Sequence, residues 1–299
     1  MKKETERKIL FVINPKSGLP KFADYQNIIS EIGNKEGFEW EIFETTGKDD
    51  PENIRNHIKR FNPDTVIAVG GDGTVNIVAI ELLGKGIKLG IIPLGSANGL
   101  AYNLGIPDNF RRALNFNLQK EAGAMDVIKI NDRHFCLHLS DVGINARIVK
   151  RFEKEGSKGL LGYGKQLFKE LGEGKTYFHS YIEVPGKRRK KMNAEMIVIA
   201  NAKSFGTGAI INPTGKINDG QFEIVVIRPY PWWFVFTFAF ASFIGKVHKM
   251  EYVKVYSAKE AKITLPKNQE YQVDGEIVPE TGLLKVEIMP GVLNVIGVE

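Results

Sequence analysis

The stretch 68–101, AVGGDGTVNIVAIELLGKGIKLGIIPLGSANGLA, holds two glycine-rich turns, each placed straight after an apolar run and each leading into a helix-like pattern. A strand, then Gly-Gly-Asp-Gly-Thr, then a helix is the outline of a phosphate cradle. Glycines let the main chain turn sharply and bring N–H groups close to an anion at a helix N-terminus. Neither standard nucleotide fingerprint is present: a Rossmann turn needs G-x-G-x-x-G and a P-loop needs G-x-x-x-x-G-K-[ST]. GLLGYGKQ (159–166) imitates the second, but it has Gln166 where the magnesium-binding hydroxyl belongs and follows no strand. It reads as a helix start. Asp72 amid the glycines makes sense if a divalent cation lies between carboxylate and phosphates, or if the acid orients an acceptor hydroxyl. A lone Gly-Asp-Gly is more often a tight turn. Here five ordered residues follow a buried strand and a second glycine turn follows the next one, which a bare turn does not explain.

Outward from these turns, the first third of the chain alternates strand and helix. KILFVINP (8–15), EWEIFETT (39–46), DTVIAVGG (64–71) and IKLGIIPLG (87–95) read as strands. Between them lie a helix closed near Gly33, a helix opened by an Asp cap and a Pro in DDPENIRNHIKRF, and the helix VNIVAIELLG; ANGLAYNLG is a short fourth. This order predicts a doubly wound parallel sheet, which binds ligands beyond the carboxyl ends of its strands. The unusual residues lie there: Asn14–Gly18, Thr45–Thr46, Gly70–Asn76 and Gly95–Asn98.

From about Asp126 the texture changes to short alternating strands split by turn residues, the pattern of an antiparallel sandwich or barrel. The expectation is an α/β domain over 1–125 and a β-rich domain over 126–299, whose extreme C-terminus is free to return toward the first. Two helices are expected in the second half, about 158–172 and 231–245.

The chain has 299 residues, 43% hydrophobic and 25% charged, and a single cysteine, so an internal disulfide and a multi-cysteine metal knuckle are excluded. No apolar run reaches the roughly 18–20 residues of a spanning helix, and MKKETERKIL lacks the apolar core of a secretory signal. A cytoplasmic enzyme is the expectation. The net charge of +6 suits an anionic partner. GKRRKK (186–191) is short and lacks aromatic interleaving, which argues against nucleic acid and leaves a solvated hairpin or an aid to docking on an anionic membrane. YPWWFVFTFAFASFIG (230–245) is apolar on every face, which predicts a helix buried beside the β-rich half; a lipid-facing helix is the alternative. His134 and His138 fall on one face of a strand-like run without an acid nearby in sequence and read as packing or surface residues, and Cys136 as a small buried hydrophobe. An exposed strand edge in the β-rich half leaves a homodimer open.

NPKSG (14–18), GGDGTVN (70–76), PLGSANGLA (93–101), NPTGKINDGQFEIVVI (212–227) and VDGE (273–276) together resemble the diacylglycerol kinase catalytic domain family, in the family's order and over essentially the whole chain. That family includes sphingosine and ceramide kinases and soluble bacterial lipid kinases; NAD kinases share GGDGT and the fold. The resemblance implies an ATP-dependent kinase acting on a hydroxyl of a diacylglycerol-like lipid with long acyl or alkyl chains, peripherally membrane-associated when active. It places Asn14, Thr46, Gly70, Gly71, Asp72, Gly73, Thr74, Val75, Asn76, Ser96 and Asn98 around the nucleotide. Glu276 takes the place that bacterial members give to the proton acceptor, with Asp72 as the second choice for that role. Mg2+ is implied at KINDGQ, on the Asp219 carboxylate and main-chain oxygens of Lys216 and Gln221.

Three positions depart from the family pattern: Ile77 in the first turn, Gly99 where the second usually carries Asp, and Asn145 where many members carry Asp. The second turn is closer to the G-S-x-N-x-L-A of sphingosine kinases. A sphingoid-base kinase, an NAD-kinase-like phosphotransferase and a catalytically weakened nucleotide- or lipid-binding homologue are therefore the alternatives, and Asp126 is left to supply part of the missing carboxylate network.

Overall fold

The computed structural model describes residues 7–17, 22–143, 177–205 and 208–299. The chain forms two compact units, Met1–Met125 with Val292–Glu299, and Asp126–Gly291. The expected helix at 158–172, the GLLGYGKQ segment and Asn145 lie outside the described residues.

In the first unit, β1 (Lys8–Ile13), α1 (Phe22–Glu36), β2 (Glu39–Glu44), α2 (Asp50–Phe61), β3 (Thr65–Gly70), α3 (Asp72–Leu82), β4 (Lys88–Pro93), α4 (Gly99–Asn103) and α5 (Phe110–Gln119) follow one another. All strand pairs are parallel, in the order β2-β1-β3-β4. β14 (Glu276–Ile296) ends in this unit, where Asn294 and Val295 pair in parallel with Lys88 and Leu89. Every residue of β3 is buried, as parallel strands covered on both faces require.

Two local expectations change. α1 runs past Gly33 and stops before Gly37, which takes the left-handed φ of 69°. Gly33 is an interior glycine because the Trp40 ring lies against it, 2.6 Å from where a Cβ would stand. The cap of α2 is also different. Asp49 makes no side-chain cap; Asp50 instead reaches back, accepting from the amides of Thr46 and Gly47 at 2.8 Å each. The alternation predicts nothing over 110–119, yet α5 forms there. Asn109 caps it by accepting from the Arg112 amide, and buried Asn117 ties it to both backbone groups of Ile91 in β4.

The second unit is antiparallel. β7 (Leu139–Gly143), β10 (Met196–Ala200), β11 (Phe222–Ile227), β12 (Val253–Ala258) and β13 (Glu260–Val273) pair in the order β12-β11-β10-β7-β13, and β14 pairs with β13. β8 (Phe178–Glu183) pairs with β9 (Lys190–Ala194), and β5 (Ala122–Ile130) with β6 (His134–Cys136). β13 pairs through Lys262–Thr264 with β8 and through Tyr271–Val273 with β7, with register shifts between those stretches. One strand thus serves two layers, as at the corner of a sandwich. Side chains alternate accordingly. Ile197, Ile199, Ile224 and Val226 face one core with Phe178 and Ile263. Met196, Val198, Val225 and Ile227 face a second core, closed by α6 (Phe234–Phe243).

Candidate active site

β1 has β2 on one side and β3 on the other, so the strand order reverses there. In such sheets the ligand crevice opens beyond the strand ends at that switch point. The tips of β1 and β3 are joined by the Asn14 amide, which donates to Val69 O at 2.9 Å. Asn14 also shapes its own loop: its side-chain oxygen accepts from the Lys16 amide at 3.0 Å.

Beyond β3 the helix starts earlier than the sequence pattern suggests. α3 begins at Asp72, with Gly71 as its N-cap and no side-chain cap. Asp72, Gly73 and Thr74 therefore form the first turn, where a helix leaves amides without intrahelical acceptors and where an anion is favoured by the helix dipole. Val75 N–H closes the first turn on Gly71 O at 3.1 Å, and Thr74 and Val75 are buried while Asn76 is half-buried. The second turn lies against the first. A Cβ on Gly95 would stand 2.6 Å from Gly71 Cα, so the two backbones touch and no side chain fits. Leu94 N–H donates to Gly70 O at 2.8 Å. Asn98, in the left-handed region at φ 52°, folds its side chain back on Gly95, accepting from its N–H and donating to its O at 2.8 Å each. Ser96 is exposed at the rim. Thr46 is exposed after β2, its loop fixed by Asp50.

In the second unit, Glu276 is the first residue of β14, exposed, directly after a two-residue turn. Asp274 and Gly275 have φ 49° and 93°, the left-handed pair of a type I′ hairpin. That turn is held from below. Buried Asp274 accepts from the amides of Leu137, His138 and Leu139 at 2.6, 3.0 and 3.1 Å, and pairs with His138 Nδ1 at 2.8 Å. Burial pushes the Asp274 carboxyl up, but the His138 imidazole and these amides outweigh it and hold it below its usual value. The same carboxylate and, chiefly, burial push the Cys136 thiol well up, so Cys136 is an inert thiol. His138 is thus not an ordinary packing residue. Its partner lies far along the chain, where sequence proximity could not show it. Gln272 adds a second brace, accepting from the Gly275 amide at 2.6 Å.

The loop 212–221 also belongs to this unit. Lys216 and Asp219 are exposed and Gln221 is half-buried; the Gln221 amide donates to Asp219 Oδ1 at 3.1 Å. Asp126 fixes the loop: one oxygen accepts from the Gly220 amide at 2.6 Å, the other from Gly291 at 2.8 Å, and its own amide donates to Ile217 O at 2.8 Å. Both oxygens of Asp126 are spent on the backbone, so it braces the metal-loop candidate. Among the described residues no group of three or more His, Cys, Asp or Glu stands together for a metal. What the loop offers is one carboxylate with main-chain oxygens. At its start the Asn212 side-chain oxygen is buried without a hydrogen-bond partner. Such an oxygen-only set suits magnesium retaining several waters.

Residues 8–130 match the diacylglycerol kinase catalytic domain, and residues 140–297 match the YegS C-terminal NAD kinase beta sandwich-like domain. The chain belongs to this family. Its relatives include the probable lipid kinase YegS-like of Klebsiella pneumoniae, 28% identical over 95% of this chain and 94% of that protein. Another is the probable lipid kinase YegS of Salmonella arizonae, 31% identical over 72% of each. The crystal structure of a diacylglycerol kinase from Bacillus anthracis strain Sterne shares the fold, with a TM-score of 0.74 over 99% of this chain and 98% of that one at 21% identity. Of the departures from the family pattern, Gly99 opens α4, buried, and accepts from the Asn103 side chain at 2.8 Å; Ile77 lies half-buried in α3.

Proposed function

We propose that the protein is an ATP-dependent lipid kinase that transfers the γ-phosphoryl group to the hydroxyl of a diacylglycerol-like lipid. The observation that carries this reading is the contact of the two glycine turns at the tips of β3 and β4, beside the switch point. Backbone amides from the first turn of α3 and from the turn at Gly95 would hold phosphate oxygens, and the absence of side chains at Gly71 and Gly95 lets the anion approach the main chain. Asn14, Thr46, Ser96 and Asn98 shape the loops around that anion.

Phosphoryl transfer is mostly positioning and charge stabilisation. Magnesium, when bound, neutralises phosphate charge, and Asp72 would help hold the phosphate–magnesium unit. Asp219 with the carbonyls of Lys216 and Gln221 would hold a second, structural magnesium. Glu276 accepts the proton of the lipid hydroxyl as that oxygen bonds to the γ-phosphorus. The bond from that phosphorus to the β–γ bridging oxygen breaks, and its electron pair leaves on ADP. The exposure of Glu276 at the end of a braced hairpin suits a base that must meet an acceptor arriving from solution or a membrane. Gly99, in place of an acid, favours one second reading: a sphingoid base as acceptor.

The test is transfer of label from γ-labelled ATP to detergent-dispersed diacylglycerol, sphingosine and, as a soluble competitor, NAD. Label in diacylglycerol, lost at least about 100-fold in Asp72→Ala, is the expected result. Label only in sphingosine moves the acceptor to the second reading. Label only in NAD, or full activity in Asp72→Ala, overturns the proposal.

A further inference from the structure

α6 has two unlike faces. Phe234 and Ala241 are buried in the core over β10 and β11, with Phe238 packed against it, whereas Trp232, Phe236, Phe240 and Phe243 are 72%, 62%, 67% and 69% exposed. Spacings of four, four and three put these side chains on one side of the helix, and Trp233 and Ile244 extend the patch at 49% and 47%. The sequence pattern predicts burial all round. The structure buries one face only, because ten helical residues cover the core of the sheet with a single stripe.

The outward face is built for an apolar medium. Its hydroxyl residue, Thr237, spends itself on the helix, donating to Phe234 O at 2.9 Å, as buried Ser242 does on Phe238 O. At the C-terminus Gly245 turns left-handed at φ 66°, and the Lys246 amide donates back to Ala241 O at 2.9 Å, a Schellman closure that satisfies the last carbonyls. Between Glu223 and Glu251 the segment itself carries no acid, while Arg228, Lys246 and Lys249 are exposed at its two ends. The acid that meets it from β10's side, Glu195, is buried and accepts from the Tyr230 amide at 3.4 Å. No helix among the described residues is long and apolar enough to cross a membrane.

We propose that α6 is the membrane-docking element: it lies in the plane of an anionic bilayer, with Trp232, Phe236, Phe240 and Phe243 in the headgroup–acyl boundary and Lys246 and Lys249 at the phosphates. Helices that lie in a membrane interface present an apolar face with basic residues and tryptophan near the boundary; α6 presents these, and its other face is buried in protein where a free interfacial helix would be polar. A protein partner or a second copy would cover the aromatic face equally well. The exposed charges within the segment, Arg228, Lys246 and Lys249, are all basic, and that favours the anionic lipid surface. The inference rests on the lipid-acceptor reading for the biological sense of that surface, but it can fail separately.

The experiment is cosedimentation of the full chain, without nucleotide, with vesicles of phosphatidylcholine alone or mixed with phosphatidylglycerol. It is repeated with Trp232→Ala/Phe236→Ala/Phe240→Ala and with Lys246→Glu/Lys249→Glu. Expected are binding to the anionic vesicles, quenching of tryptophan emission by acyl-chain bromines, and a loss of at least about tenfold in partition for either variant. Thermal melting establishes that the variants fold, and the charge variant, which leaves the aromatics in place, serves if the triple variant does not. Wild-type partition retained in a folded variant overturns the proposal. So does self-association that the aromatic variant abolishes without any vesicle binding. Phosphorylation of a short-chain, soluble diacylglycerol should be unchanged in both variants. Its absence in the wild type, with vesicle binding intact, would defeat the diacylglycerol-acceptor reading and leave the docking surface standing.

Discussion

Gly71 and Gly95 meet backbone to backbone, so that a Cβ added to Gly95 would lie 2.6 Å from Gly71 Cα, and one added to Gly71 would lie 3.2 Å from Gly95 Cα. Neither atom met is the end of a flexible side chain; the main chain itself would have to move. Gly95→Ala is therefore expected to cost about 1–3 kcal/mol of stability and to weaken ATP binding at least about tenfold. Gly71→Ala should do less of both, since its contact is looser. Denaturant unfolding and calorimetric titration with ATP rank the two variants.

The braced hairpin before Glu276 makes a second prediction, about pH. Asp274 has a folded-state carboxyl below its usual value, so the stability it contributes is present above the unfolded-state value and disappears as pH falls through the folded-state one. Asp274→Asn should then be much less stable than wild type at neutral pH, by about 3–5 kcal/mol, and the gap should narrow only below about pH 4. Urea unfolding of both proteins from pH 7 down to acid gives the comparison.

These two features were not equally legible in the sequence. The glycine turns could be read because their chemistry is local: strand, turn and helix are contiguous from Thr65 to Leu82. The support of Glu276 is not local. Asp274 reaches back to Leu137, His138 and Leu139, and only the topology that pairs Val273 with Ser140 joins them. The Asp274–Gly275 turn did carry a sequence signal, an Asp-Gly between alternating runs, which marks a two-residue hairpin. It turns two separate short strands into the long β13–β14 pair. The aromatic segment misled for a different reason. Composition reports that every face is apolar, but not which face the sheet has room to cover.

The loop at 216–221 predicts a magnesium effect that is separable from catalysis. Asp219 is its single exposed carboxylate, and Asp126 fixes the loop through Gly220. Asp219→Ala should lower the magnesium-dependent rise in melting temperature with little change in the melting temperature in chelator, because among the described residues its side chain's hydrogen bond is the local one from the Gln221 amide. Asp126→Ala removes two half-buried hydrogen bonds to the backbone and should lower the melting temperature in both conditions. Scanning calorimetry with and without magnesium resolves the two patterns.

Glu276 supplies the last prediction, because its placement separates chemistry from folding. It is exposed, and Asp274 and Gln272 brace the turn before it. Glu276→Gln keeps the size of the side chain but removes its charge, and with it the capacity to take a proton. Stability and ATP affinity should stay within error of wild type, while kcat for lipid phosphorylation falls by about 100- to 10,000-fold. A base also leaves a mark on the pH profile: the acid limb of kcat, set by the carboxylate, should disappear in the variant rather than shift. If Glu276→Gln keeps that limb and most of its rate, proton removal belongs to another group, and Asp72, in the first turn of α3, is the acid to replace next.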